Sequence, residues 1–443
     1  MSLRDTILRR HSGRALLAVC AGAACVALGV VAFDALANAA SRLPELSAEW
    51  REFCSPGSFR HRAALRLAQA APNPAAPDPA ARTPHDAPPF PGMPPLVDPA
   101  NIYAGIAADR LSPAVAGDLP RVYVPNRRSG DVYVIDPASL KVIDRFKVGI
   151  NPQHVVPSWD LRTLWVANNA EGRPDGSLTP IDPRTGKPGQ SIAVDDPYNI
   201  YFTPDGKAAI VVAEAFKRLD FRDPQSMALI QSLETPDCKG INHADFSIDG
   251  RYAIFTCEFE GKLVKIDMVA RKVLGYLTLS RGGMPQDIRS SPDGKVFYVA
   301  DMHADGVFEI DGDEFAEIGF IATGIGTHGL YPSRDGRKLY VANRGSHRVL
   351  GPPHGKGSVS VIDFATRNIE ATWPIPGGGS PDMGNVSADG KRLWLSGRFD
   401  DVVYAIDTTS GAVAIIKVGK EPHGLTVWPQ PGRYSLGHTG NLR

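Results

Sequence analysis

Seven positions along the chain carry side chains suited to binding a metal or moving a proton: His154, Asn199, His243, Asp287, His328, Asp382 and His423. Each stands six to eight residues ahead of a tight-turn signal, reading Trp159-Asp160, Asp205-Gly206, Asp249-Gly250, Asp293-Gly294, Asp335-Gly336, Asp389-Gly390 and Pro431-Gly432. Neutral imidazoles and carboxylates suit Zn, Cu or Fe, so His154, His243, His328 and His423 form a candidate site for a transition metal or metallo-cofactor. The same pattern has a structural explanation, because polar residues that open a strand often cap the turn before it. No His-Glu-x-x-His, Gly-x-Ser-x-Gly or Cys-x-x-Cys occurs, and no nucleophile is specified. The stretch from Gly351 to Ser358 imitates a phosphate loop, but its spacing is wrong and a strand follows it.

The elements that must position these residues repeat. Successive turn signals are 42 to 54 residues apart, and a second marker, the Asp of Val-Ile-Asp-Pro, recurs at Asp136, Asp182, Asp223, Asp267, Asp311, Asp363 and Asp407. Between the markers lie short alternating β-rich runs such as 132–135 and 359–362, without a helical period, which gives four strands per repeat. The expectation is an all-β fold, a seven-bladed β-propeller of four-stranded blades. The first clear strand, at 121–125, has the phase of a second strand, and the last, at 423–428, that of a first. The C-terminal strand should therefore close the first blade. First strands run down the central channel and second strands return, so the seven positions meet at the top of the channel. The ends of the second strands, Asn126, Asn168, Glu214, Glu258, Asp301 and Asn343, join them there.

Two long loops, 171–176 and 345–357, fall on the same top face, and Arg344, Arg348 and His354 are candidate ligand-binding residues in or beside the second. Elaborated loops on a rigid scaffold are common recognition surfaces. Cys238 and Cys257 come close when the strands fold about Asp249-Gly250, which makes them a candidate disulfide in an oxidising compartment. Cys54 is left over as a candidate intermolecular handle.

Tyr340-Val341-Ala342-Asn343, Ser358-Val359-Ser360-Val361-Ile362-Asp363 and Ser291-Pro292-Asp293-Gly294-Lys295 resemble the YVTN-type β-propeller repeats of YncE-like proteins. The resemblance spans residues 120–435 and implies the fold far more specifically than any activity. Similar propellers include the haem d1 domain, which has eight blades, and lactonases that use a metal in the channel.

The N-terminus reads as an export segment. Arg4, Arg9, Arg10 and Arg14 precede the uncharged run 15–33, long enough for a membrane anchor, while Ala37-Asn38-Ala39 has the form of a cleavage site. Residues 1–40 are thus a signal peptide or anchor, and residues 41–119 a short helical segment and an Ala/Pro-rich linker, with 11 prolines between 71 and 100. Residues 120–443 are the propeller. Lys plus Arg and Asp plus Glu number 48 each, so no global field attracts nucleic acid. The functional expectation is a periplasmic or otherwise extracytoplasmic, monomeric binding module. Its top face takes a small ligand or an envelope protein, and the membrane is met through the N-terminal segment only. The alternative is a metal- or cofactor-dependent oxidoreductase or hydrolase with its site at the channel mouth.

Overall fold

A computed structural model describes residues 88–443. The expected export segment, most of the linker and Cys54 lie outside the described residues. Among the described residues, no helix is long and apolar enough to cross a membrane.

Seven antiparallel sheets form the ring, each with at least four strands. The blade that opens the chain is completed by its end: Thr426–Trp428 pairs with Arg121–Asn126 in the register Arg121 to Trp428, Val122 to Val427 and Tyr123 to Thr426. The other innermost strands are Pro152–Pro157, Pro197–Phe202, Ile241–Phe246, Pro285–Ser290, Thr327–Pro332 and Pro381–Val386. Blades one to seven are counted here from the one that contains Arg121–Asn126.

Both repeat markers are turn-makers, except that Pro431-Gly432, expected as the last of the first set, bridges Leu111 instead of turning between two strands. In the first, Asp249 Oδ1 accepts from Ser247 Oγ and from the Arg251 N–H, and Gly250 takes a positive φ of 71° that a side chain would resist. The same Ser-x-Asp device recurs at Ser291 with Asp293 and at Ser387 with Asp389. In the second marker, Asp267 Oδ1 accepts the N–H groups of Val269 and Ala270, closing the hairpin between third and fourth strands. Strand residues such as Val122, Val124, Ile210 and Val341 are fully buried where one blade packs on the next.

Each innermost strand is the edge of its own sheet, so its outward N–H groups need partners from the neighbouring blade. Side chains supply them. Tyr201 Oη accepts from Ala244 N–H, Asp245 Oδ2 from Ser290, Asp287 Oδ2 from Leu330 and Tyr331 Oη from Gly384, latching blades three to seven in sequence.

The bottom of the channel is closed by the segments that flank the ring. Residues 88–119, assigned to the linker by the sequence reading, run beneath the ring, with Phe90 N–H bonded to Asp249 O, Ile102 N–H to Pro292 O and Asp109 N–H to Ala388 O. Ile102, Tyr103, Ile106 and Val115 are buried there. Beyond Trp428 the tail turns into the channel. Leu436 O accepts from Phe202 N–H, His438 N–H donates to Ile200 O, and Asn441 and Arg443 both donate to Asp245 Oδ1. Tyr434, Leu436, His438, Thr439 and Leu442 are buried.

Candidate functional site

The residues singled out by spacing sit at irregularities in the strands. Pairing of first with second strands slips between Pro152 and His154, Ile241 and Ala244, Pro285 and Ile288, Thr327 and Leu330, and Pro381 and Gly384. His154, His243, Asp287, His328 and Asp382 belong to these bulged segments, and Tyr198 and Asn199 to a sixth in blade three. A bulge breaks the strict alternation of faces and re-aims side chains, which lets two consecutive residues serve the channel. Their freed N–H groups are covered locally: His243 N–H donates to Thr256 Oγ1 and Met383 N–H to Ser396 Oγ.

The upper of the two resulting layers is an open pocket of about 250 Å³, lined among others by Gln153, Tyr198, Glu214, Glu258, Gln286 and Arg344. Arg127, His328 and Arg398 complete its polar wall, and Phe259 and Val349 add apolar surface at the rim. Burial, then the neighbouring Glu258, pushes the Glu214 carboxyl well above its usual range; burial also raises Glu258, against the Gln286 amide and Arg344. Glu258 accepts from Asn242 Nδ2 at 2.7 Å. Burial thus favours the protonated form of both carboxyls, and for Glu214 the neighbouring Glu258 charge adds to it.

Opposite them Asp382 is a charge hub. Its Oδ1 accepts from Arg344 Nη2 at 2.8 Å and lies 2.9 Å from His328 Nδ1, while Oδ2 lies 2.9 Å from His423 Nδ1. Burial disfavours this carboxylate, yet Arg344, His328 and His423 outweigh burial and hold it well below the usual range. Glu421 in turn binds Arg127 and Arg398.

The lower layer holds His154, His243 and His423 together with His438 from the tail, all fully buried. Burial keeps each of these imidazoles well below its ordinary pKa and hence neutral at pH 7.

The seven spaced residues therefore do converge, but they divide their work. Asp287 is a blade latch that also accepts from Arg289 Nη1 at 3.0 Å. His328 and His423 orient Asp382, so the four histidines expected as one ligand set do not point at one centre. Among the described residues the group with metal-ligand spacing is His243, Asp287 and His438. Asn199 Nδ2 faces His243 Nδ1 at 3.2 Å. Arg344 is buried in the pocket wall, whereas Arg348 and His354 are exposed on the rim, where His354 N–H donates to Asp400. Of the second-strand ends, Glu214 and Glu258 line the pocket. Asn126, Asn168 and Asn343 instead donate within their own blades, to Val124 O, Thr179 Oγ1 and Ser360 Oγ. Asp301 accepts three backbone N–H groups, from Met284, His303 and Ala304. Cys238 and Cys257 are disulfide-bonded, with Cα atoms 4.8 Å apart.

Spacing alone missed Gln153, Tyr198 and Gln286, each one residue before a position it selected, and His438. The bulges were the obscuring feature for the first three. For His438 the available signal was a lone imidazole in a Gly-rich tail.

Comparison with known proteins bears on the fold. The chain is 23% identical over 294 residues to the uncharacterized protein YncE of Salmonella typhi, covering 61% of this chain and 75% of that protein. In structure it is similar to the periplasmic gluconolactonase PpgL of Pseudomonas aeruginosa, with a TM-score of 0.58 and 20% identity, over 70% of this chain and 99% of that one. It is also similar to hydrazine synthase of Kuenenia stuttgartiensis, with a TM-score of 0.51 and 18% identity, over 68% and 93% of the two chains. At these identities the structural likeness concerns the fold alone. The model of the YNCE-like beta-propeller matches residues 92–431, and the chain belongs to that family.

Proposed function

We propose that the protein is a binding module whose site is the upper channel pocket, and that its ligand is a small anionic molecule rich in hydroxyl groups. The carrying observation is the pairing of two buried guanidinium groups, Arg344 and Arg398, with a Glu214 and Glu258 pair that favours retaining a proton. Guanidinium groups recognise carboxylate or phosphate, and the Tyr198 hydroxyl, the Gln153 and Gln286 amides and the carboxyl pair supply alternating donors and acceptors for hydroxyls. A pocket closed below and about 250 Å³ in volume suits a small molecule better than a peptide. Export to the periplasm, with residues 15–33 as anchor or signal, belongs to the same proposal, as does a monomeric state.

The test is a thermal-shift and calorimetric screen of small sugar acids and sugar phosphates against the purified propeller. A ligand bound by the native protein should lose at least tenfold in affinity in Arg344→Gln and in Glu214→Gln, with Arg348→Ala and His354→Ala unchanged. Equal loss in the rim variants would move the site to the 345–357 loop, where an envelope protein is the better partner. Fractionation of cells expressing the full chain tests export. The alternative, a metal-dependent oxidoreductase or hydrolase, draws its support from the imidazoles below the pocket.

A further inference from the structure

Beneath the pocket the channel narrows to a box of imidazoles. His154 stands in its middle, its ring centroid 5.2 Å from His243, 4.9 Å from His423, 5.3 Å from His438 and 5.2 Å from the Tyr198 ring. Each buried neutral imidazole has one donor and one acceptor to satisfy, and leaving either unmet is unfavourable. Neither nitrogen of His154 has a hydrogen-bond partner, nor does Nε2 of His243 or of His438. Four nitrogens in one buried box thus have no partner within the protein and are free to meet a ligand.

Three ligand-type groups already stand at workable separations. One nitrogen of His243, one of His438 and one oxygen of Asp287 lie within 4.8 Å of one another. His438 Nε2 and Asp287 Oδ1 are 3.2 Å apart. Around a tetrahedral cation with bonds of about 2.0–2.1 Å, neighbouring ligand atoms are separated by roughly 3.3–3.5 Å. We propose that the channel floor binds one divalent first-row transition-metal cation through His243, His438 and Asp287, with His154 beside them as a fourth donor. Two imidazoles and a carboxylate suit Zn2+ or Cu2+, whereas Mg2+ and Ca2+ prefer all-oxygen sites. The site is independent of what the upper pocket binds.

The surroundings say how binding would proceed. His243 Nδ1 faces the Asn199 amide, and His438 Nδ1 accepts from Thr439 N–H, so each ring is already oriented through its other nitrogen. A metal on Nε2 moves the ring proton to Nδ1. The Asn199 amide must then turn, and the Thr439 N–H must swing away from His438. His438 sits at a φ of 53° between Gly437 and Gly440, so the adjustment falls on a buried, hydrogen-bonded segment and weakens binding relative to a preformed site. Arg289 and the Ile288 N–H already use Asp287 Oδ1, which weakens the carboxylate as a ligand relative to a free one.

The experiment loads chelator-stripped full-length protein with Zn2+ or Cu2+ and measures stoichiometry by elemental analysis and affinity by calorimetry. One ion per chain is expected, with affinity falling at least tenfold in His438→Asn and in His243→Gln. An exposed pair, His303 and His347, with centroids 6.3 Å apart, provides the control for adventitious surface binding, and His347→Ala should leave the ion in place. Binding that survives in folded His438→Asn and His243→Gln, that disappears in His347→Ala, or that is absent for both metals overturns the assignment. Should the variants fail to fold, paramagnetic resonance of the Cu2+-loaded native protein decides. Coupling to at least two nitrogens supports the site, and all-oxygen coordination refutes it.

Discussion

The His438 ring, carried by the C-terminal tail, lies face to face with that of His243 in blade four, centroids 4.6 Å apart and planes 18° from parallel. A residue five positions from the end of the chain thus forms part of the channel floor, and the tail is as much a part of the core as any blade. Leu436→Ala removes a side chain that is 3% exposed and should cost about 2–4 kcal/mol. Ending the chain after Gly432 should destabilise it further and admit solvent to the channel from below. Denaturant unfolding of both variants checks this, and a truncated protein as stable as the native one would show the plug to be passive.

The blade latches predict a second cost. Asp245 accepts from Phe246 and Ser290 N–H groups and from the side chains of Asn441 and Arg443. Asp245→Ala strands a buried guanidinium and several donors at once, and a loss of about 3–5 kcal/mol is expected. Asp160→Ala, at a half-exposed turn, should cost well under half as much in the same urea titration.

Much of this was legible in the sequence. The blade count followed from Asp and Gly placed by turn chemistry in most repeats, and the closure from the phase of the strands expected at 121–125 and 423–428, of which 426–428 pair. Convergence of His154, His243 and Asp382 was legible for the same reason. Their separate tasks were not, because a bulge at each strand entrance replaces the two-residue period by a local geometry that spacing does not encode. The tail was invisible because Tyr434 to Arg443 follow no repeat, and their burial is set by contacts with residues about 200 or more positions away, such as Asp245 and Ile200.

Acid should destabilise the propeller through its buried imidazoles. Burial, then Arg344, lowers His328 from 6.5 to about 4. A group whose folded pKa is depressed binds more protons when unfolded, so stability is complete above about pH 6.5 and falls as pH drops toward 4. For His328 alone the full loss is about 3 kcal/mol. His154, His243, His423 and His438 shift in the same direction and steepen the fall, while the raised Glu214 and Glu258 oppose it, since protonation suits their folded environment. Unfolding free energies measured from pH 7.5 to 4 should decline, and His328→Gln should flatten part of the slope. A pH-independent stability over that range would contradict the neutral, buried imidazoles.

The disulfide links stability to the pocket. Cys257 immediately precedes Glu258, whose backbone N–H donates to Gly240 O, and Cys238 lies two residues before Gly240. The bond therefore fastens both sides of the loop that presents Glu258 to the pocket. Closing a chain segment with a sequence separation of 19 is worth about 3 kcal/mol, and the Cys238→Ser, Cys257→Ser double variant should lose roughly that in guanidinium unfolding. Its distinctive consequence is local. Freed from Cys238, the 238–240 loop relaxes, and Glu258 loses its fixed place in the pocket wall. Any ligand that senses Glu258 should bind the double variant more weakly at temperatures where the propeller is still fully folded, and dithiothreitol should have the same effect on the native protein. A loss of stability with unchanged affinity would separate the disulfide from the site and leave Glu258 positioned by Asn242 and Gln286 alone.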